Sequence, residues 1–272
     1  MERIILKAMN VFKIILHLIV TLFLTVLTQI GGVVYLIIIV TLRNKTRKIR
    51  FTYFSIVYLV FTYLVIPLVA PIFGREKIYN SKNLQPRSFF YTLTNRNYVV
   101  PEMNAILQSV SNSFQKDNPG IQVVYLDANF PFFKGFPLFP HLSHNDGKKI
   151  DLSLIYVDEK GKLTNKKPSV SGYGVYENPT NKEYNQIEIC KRKGNWQYDF
   201  PKYLTFGTIH RDISFSNEAN KELIQLFLSK KEIGKIFIEP HLKSRLKLNN
   251  SKIRFHGCQA VRHDDHIHLQ LR

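Results

Sequence analysis

"DHIHLQL", residues Asp265–Leu271, is the stretch on which the reading of this chain turns. Polar and apolar side chains alternate along it, the period of a half-buried β-strand, in which residues i and i+2 share a face. His266, His268 and Gln270 therefore fall on one face, and Ile267, Leu269 and Leu271 on the other. The apolar face is core material. Two imidazoles side by side are not, so the other face is either an open sheet surface or a site.

Upstream, "PHLSHNDGKKIDLSL", beginning at Pro140, holds a second polar group: His141, His144 and Asp151. The alternation in "KIDLSLIYV" predicts a strand that carries Asp151, with "DEKGK" as the turn after it. Gly147 permits a tight turn, so that the loop delivers His144 and the following strand delivers Asp151.

The rest of this half mixes helices and strands. Met103, Ile106, Leu107, Val110 and Phe114 recur at helical spacing from Pro101 until Asn118-Pro119-Gly120 stops them. "IQVVYL" and "KIFIE" read as strands. Leu223, Ile224 and Phe227 mark another helix, and Pro240 opens a short one. With no regular β-α-β alternation, the expected class is α+β: a small antiparallel sheet flanked by helices, over residues 99–272. Residues 162–200 read as a polar excursion. The aromatic run "FPFFKGFPLF" suits a groove wall, a membrane surface or simple packing. Asp127 reads as a turn residue and Trp196 as a structural anchor, while His210, His241 and His256 show no partner.

The front of the 272-residue chain is different. Ile14–Leu42 and Phe51–Phe73 contain no Lys, Arg, Asp or Glu. A bilayer core takes roughly 20 apolar helical residues, and a secretory signal has an apolar region of only about 7–15. Residues 1–74 are therefore expected to be a transmembrane hairpin, with helices at about 14–42 and 51–73, the first tilted or bent near Gly31 and Gly32. Residues 75–98 read as an irregular linker. The link "RNKTRKIR" (Arg43–Arg50) carries five positive charges and no negative one, which holds a short loop in the cytoplasm. Arg3, Lys7 and Lys13 pull the other way. This orientation puts everything after Phe73 on the extracytoplasmic side of the inner (cytoplasmic) membrane.

A net charge of +18 invites anionic partners, and cell-wall polymer or lipid headgroups are the ones within reach of an exported domain. Nucleic acid is not. Cys190 and Cys258 either pair, which that compartment permits, or lie buried apart.

Imidazole and carboxylate are what zinc takes in a catalytic site, commonly three protein ligands with a fourth position left open. Two cysteines are too few for a Cys-rich structural zinc site. Here the chain resembles a known group. "SHNDGKKID" matches the Ser-His-x-x-Gly-x-x-x-Asp motif of the penicillin-insensitive murein endopeptidases, and "HDDHIH" their His-x-x-His-x-His. That family belongs to the metallopeptidase clan of the lysostaphin-type and D-Ala-D-Ala peptidases. The likeness covers roughly residues 99–157 and 205–271. It implies zinc on His144, Asp151 and His268, with His141 and His263 flanking the metal and His266 as the catalytic histidine. His141 is the further ligand candidate. His263, placed where the D-Ala-D-Ala branch has a glutamate, is the rival base. Asp264 or Asp265 would orient an imidazole. The implied activity is hydrolysis of amide bonds in peptidoglycan stem peptides or cross-links. A metal-containing cell-wall binding or scaffold protein of the same fold is the alternative, against which the intact ligand set argues.

Overall fold

The computed structural model describes residues 2–272, with side chains from residue 11 onward. Its central sheet is built from β1 (Leu84–Pro86), β2 (Val123–Tyr125), β3 (Lys149–Ser153), β4 (Ile233–Phe237), β5 (Ile253–Arg254) and β6 (His266–Leu271). Their spatial order is β5–β4–β6–β3–β2–β1. The four middle strands are antiparallel, and the two edge pairs, β5 with β4 and β1 with β2, are parallel. The small antiparallel sheet read from the sequence is thus the centre of a larger mixed one. Parallel neighbours need a crossover, and here each edge has a helical one. Residues Pro101–Asp117 form one, α4, and Pro240–Arg245 form the other.

The apolar faces of β3 and β6 are covered by α4 and by α5 (Asn217–Leu228). Ile150, Leu152, Ile267, Leu269 and Leu271 join Met103, Leu107, Val110, Phe114, Leu223 and Phe227 in one buried core. Pro101 at the first turn suits α4, and the Ser216 side chain caps α5 by accepting from the Ala219 N–H. "KIDLSLIYV" does not run as one strand. It leaves the sheet after Ser153, and Tyr156–Val157 pairs with Leu163–Thr164 and Ser214–Phe215 in a separate three-stranded sheet.

Residues 75–98 are not a free linker. They supply β1, a strand pair between Glu76–Lys77 and Tyr98–Val99, and a helical turn at Phe89–Leu93. Arg75 is buried and donates to the carbonyls of Phe130, Phe132 and Asn145. The segment lacks sequence periodicity because its anchors are backbone carbonyls of distant residues.

The apolar front end forms α1 (Glu2–Thr28), α2 (Gly31–Thr41) and α3 (Arg47–Val60). Two helical stretches, Val11–Thr28 and Arg47–Phe73, are long and apolar enough to cross a membrane. The first apolar run does not bend but reverses. Gln29 takes a positive φ of 69°, and its side-chain amide pairs with both the N–H and the C=O of Phe132. α2 then returns along α1, with His17 Nδ1 2.7 Å from Tyr35 Oη. Gly31 and Gly32 serve that packing. A Cβ on Gly32 would lie 1.9 Å from Thr25 Oγ1, closer than any side chain allows.

α3 continues through a π-helical turn (Phe61–Val65) and two short segments to Phe73. Pro67, which has no N–H to give, accounts for the irregularity. Cys190 and Cys258 form a disulfide.

Candidate metal centre

β6 and β3 are antiparallel neighbours in a register that sets His268 directly opposite Asp151, and His266 opposite Ser153. Cross-strand neighbours on one face stand about 4.5–5.5 Å apart at Cβ, near enough for both side chains to reach a common point. The third group comes from the loop before β3. Gly147 has φ 83° and little room for a side chain, since a Cβ there would lie 3.1 Å from Val100 Cγ1. Its N–H donates to Asn129 Oδ1, and its carbonyl accepts from Val100. That fold of the loop brings His144 over the sheet.

The three groups converge. His268 Nδ1 lies 2.8 Å from Asp151 Oδ1 and 3.1 Å from His144 Nε2, which is itself 3.3 Å from Asp151 Oδ1. Ligand atoms set tetrahedrally at about 2.0–2.2 Å from one ion are about 3.3–3.6 Å apart, so a shift of a few tenths of an ångström admits a metal. All three side chains are buried, a setting in which unbalanced charge is costly. The donors also face the right way. The Nδ1–H of His144 donates to the Ala128 carbonyl at 2.7 Å, which turns the Nε2 lone pair inward. Asp151 divides its oxygens, Oδ2 accepting from the Tyr173 hydroxyl at 2.8 Å while Oδ1 faces the two histidines. These residues fit a metal.

His266 stands beside them. Its Nδ1–H donates to Asp265, whose other oxygen accepts the Gly174 N–H. Its Nε2 is buried, has no hydrogen-bond partner and lies 3.7 Å from Asp151 Oδ1. His141 also reaches the group, with Nδ1 3.4 Å from Asp151 Oδ2, and is part of a second buried trio with Asp151 and His266. His263 packs its ring 4.8 Å from that of His266. All five histidines singled out from the sequence are brought together.

The electrostatics follow from burying one carboxylate among several imidazoles. Burial would raise the Asp151 pKa, but His144, His266 and His141 more than offset it and hold it well below the usual carboxylate range. Burial opposes charge on His266 as well, yet Asp151 and Asp265 raise its pKa to about 9. His268 goes the other way, lowered to about 3 by burial. A divalent ion among them would take over the countercharge that the imidazolium now supplies.

Several residues at the centre were not identified from the sequence. Asp127 is no surface turn residue. It is buried, ion-paired to Arg96 at 2.7 Å and bonded to His141 Nδ1 at 2.9 Å, so it orients that ring. Tyr173 comes from the polar excursion, and only its position identifies it. His256 stacks at 5.8 Å on His268. Of the two candidate aspartates, Asp265 holds His266, whereas Asp264 pairs with the buried Arg262. Trp196 is not an internal anchor: it is 75% exposed. With Phe139, Leu142, Phe200 and His256 it lines a cleft of about 300 Å³ that reaches His141, His263 and His268.

No protein-family model matches the chain, and a search of curated proteins found no match.

Proposed function

We propose that this chain is a membrane-anchored zinc metallopeptidase that hydrolyses amide bonds in peptidoglycan stem peptides or their cross-links. The observation that carries the hydrolytic reading is the convergence of His144 Nε2, Asp151 Oδ1 and His268 Nδ1 beside the unpartnered Nε2 of His266. The resemblance of both motifs to the murein endopeptidases supports the substrate class, and a basic domain, if exported as the basic loop suggests, would favour an anionic wall polymer. The disulfide suits an oxidising compartment. The basic loop at Arg43–Arg50 supports an extracytoplasmic placement.

A zinc ion held by His144, Asp151 and His268 would supply Lewis acidity for the scissile carbonyl and make the attacking water more acidic. The side chains do the rest. With an ion's charge in place of the imidazolium's, His266 would be neutral, and its Nε2, the ring fixed by Asp265, would accept the proton of the attacking water and return it to the departing nitrogen. The water oxygen bonds to the carbonyl carbon, the C–N bond breaks, and a carboxylate and an amine leave. His141, oriented by Asp127, and His263, its ring packed on that of His266, flank the site.

The test uses the full chain purified in detergent. Metal content and muropeptide release from isolated sacculi are measured together, against His268→Ala. About one zinc per chain with release, and neither in the variant, is the expected result. Zinc without release would leave the binding-protein alternative standing. Orientation is checked by reporter fusions, with phosphatase activity expected at Leu271 and not near Lys45. The reverse pattern would remove the cell-wall substrate.

A further inference from the structure

A second cavity, about 390 Å³, lies between the end of α1 and the domain, lined by Leu27, Phe90, Phe139, Val170, Leu204 and Phe206. Its floor contains Asp127 and Tyr173, the two residues that position His141 and Asp151. It shares the Phe139–Pro140 wall with the cleft over the metal centre. Arg96 also lines it, but its charge is taken up by the ion pair with Asp127, so the walls are predominantly apolar, next to the site and in contact with α1 at Leu27.

Its depth follows from the helices. Tyr58, in the last turns of α3, already donates its hydroxyl to Leu93 of the domain. From Arg47 to Tyr58 is about 16 Å at 1.5 Å per residue, far short of the ~30 Å hydrocarbon core. The remaining apolar thickness is met beyond Tyr58. There Ile66 and Ala70 pack on the domain at Tyr98, while Leu64, Leu68 and Ile72 point away from it, 62%, 79% and 80% exposed. The domain thus stands beside the second half of this span instead of on top of it. That places its underside at the depth of the extracytoplasmic leaflet. Phe139 and Phe206 at the cavity are exposed, as Leu22, Phe23 and Val26 are on α1 just before Leu27.

We propose that this cavity takes the hydrocarbon chain of a membrane-held amphiphile whose polar part carries the scissile amide. The substrate would then be a lipid-linked peptide, drawn from the leaflet over the Phe139–Pro140 wall into the cleft. This rests on the hydrolase reading above and narrows its substrate class. A free wall fragment has no group to fill so apolar a chamber, and the chamber is continuous with lipid-facing helix surface.

The experiment reads binding, not turnover. The full chain in lipid nanodiscs is exposed to a peptide amide bearing a sixteen-carbon acyl chain with a terminal diazirine, and cross-links are mapped by mass spectrometry. Label is expected on Leu27, Phe90, Val170, Leu204 or Phe206. It should fall at least about tenfold in Val170→Trp, which fills the cavity, and severalfold in Phe206→Ala, which opens its exposed edge. Circular dichroism and metal content should stay unchanged in both.

Label confined to lipid-facing Leu22, Phe23, Leu64 and Leu68, or indifferent to both variants, would overturn the proposal. So would a diazirine phospholipid that fills the cavity and that the acyl peptide fails to displace, since the occupant would then be a resident lipid. Because labelling needs no hydrolysis, an inert metal centre leaves the result readable.

Discussion

The two faces of β6 differ more than any other adjoining surfaces in the molecule. One presents Ile267, Leu269 and Leu271 to α4 and α5, each fully desolvated among apolar neighbours. The other presents His266 and His268 to Asp151, His144 and His141, equally buried but charged or polar. Burying an apolar side chain of this size stabilises by about 1.5–3 kcal/mol. Burying ionisable groups costs energy unless each finds a partner, and His266 Nε2 and His141 Nε2 have none. The same six residues therefore hold the fold together on one side and strain it on the other. A buried polar cluster kept at such expense, with nitrogens left without hydrogen-bond partners, is what a metal centre would require.

The largest expected effect lies on the histidine face. His268→Ala or Asp151→Ala should reduce bound zinc from about one per chain to near zero and abolish hydrolysis, while the protein stays folded in a thermal melt. Retention of tightly bound zinc in either variant would break the contrast between the faces.

His266→Ala comes next and should separate the two roles on that face. Metal content stays near wild type, and activity falls by about 10²–10⁴, the usual contribution of a general acid–base group. His263→Ala is the control. If it loses activity and His266→Ala keeps it, the base is the other histidine.

On the apolar face the readout changes from chemistry to stability. Leu269→Ala should cost about 2–5 kcal/mol in denaturant unfolding, by lost transfer energy and the cavity left behind. The molecules that remain folded should bind zinc and cut at the wild-type rate. A loss of zinc affinity matching the loss of stability would mean that the faces are coupled through the strand.

The same contrast explains what the sequence could and could not disclose. The two-residue alternation of "HIHLQL" and the fixed spacing of "SHNDGKKID" are local, so the strand, its two faces and the two histidine clusters were legible, while the choice of three ligands among them came from the family resemblance. Tyr173, Asp127 and His256 were not. Each acts through a contact with a residue far along the chain, and each sits in a stretch without periodicity. Gln29 shows this even more clearly. Nothing near it predicts a positive φ, because its conformation is held by the backbone of Phe132. The edge strands β1 and β5, with two or three residues each, are too short to show a period at all.

The smallest effect is expected away from both faces, where Arg245 grips Glu183 with Nε and Nη2, at 2.8 and 2.7 Å. That grip, led by the hydrogen bonds from the guanidinium, lowers the Glu183 pKa from its ordinary 4.5 to about 2. A carboxylate whose folded pKa lies below its unfolded value stabilises fully above the unfolded value, and the stabilisation fades as pH falls through the folded one. Glu183→Gln should therefore weaken the protein slightly at pH 6, by up to about 1 kcal/mol as for other solvent-screened pairs. The difference from wild type should shrink between pH 4.5 and 2 and vanish below. Unfolding curves of the two proteins at pH 6, 4 and 2 make the comparison. Because neither residue touches β3 or β6, zinc content and catalytic rate should be identical in the two at pH 6. A change in either would mean that the segment carrying Tyr173 transmits strain from this ion pair to Asp151, and that the histidine face depends on more than its own strands.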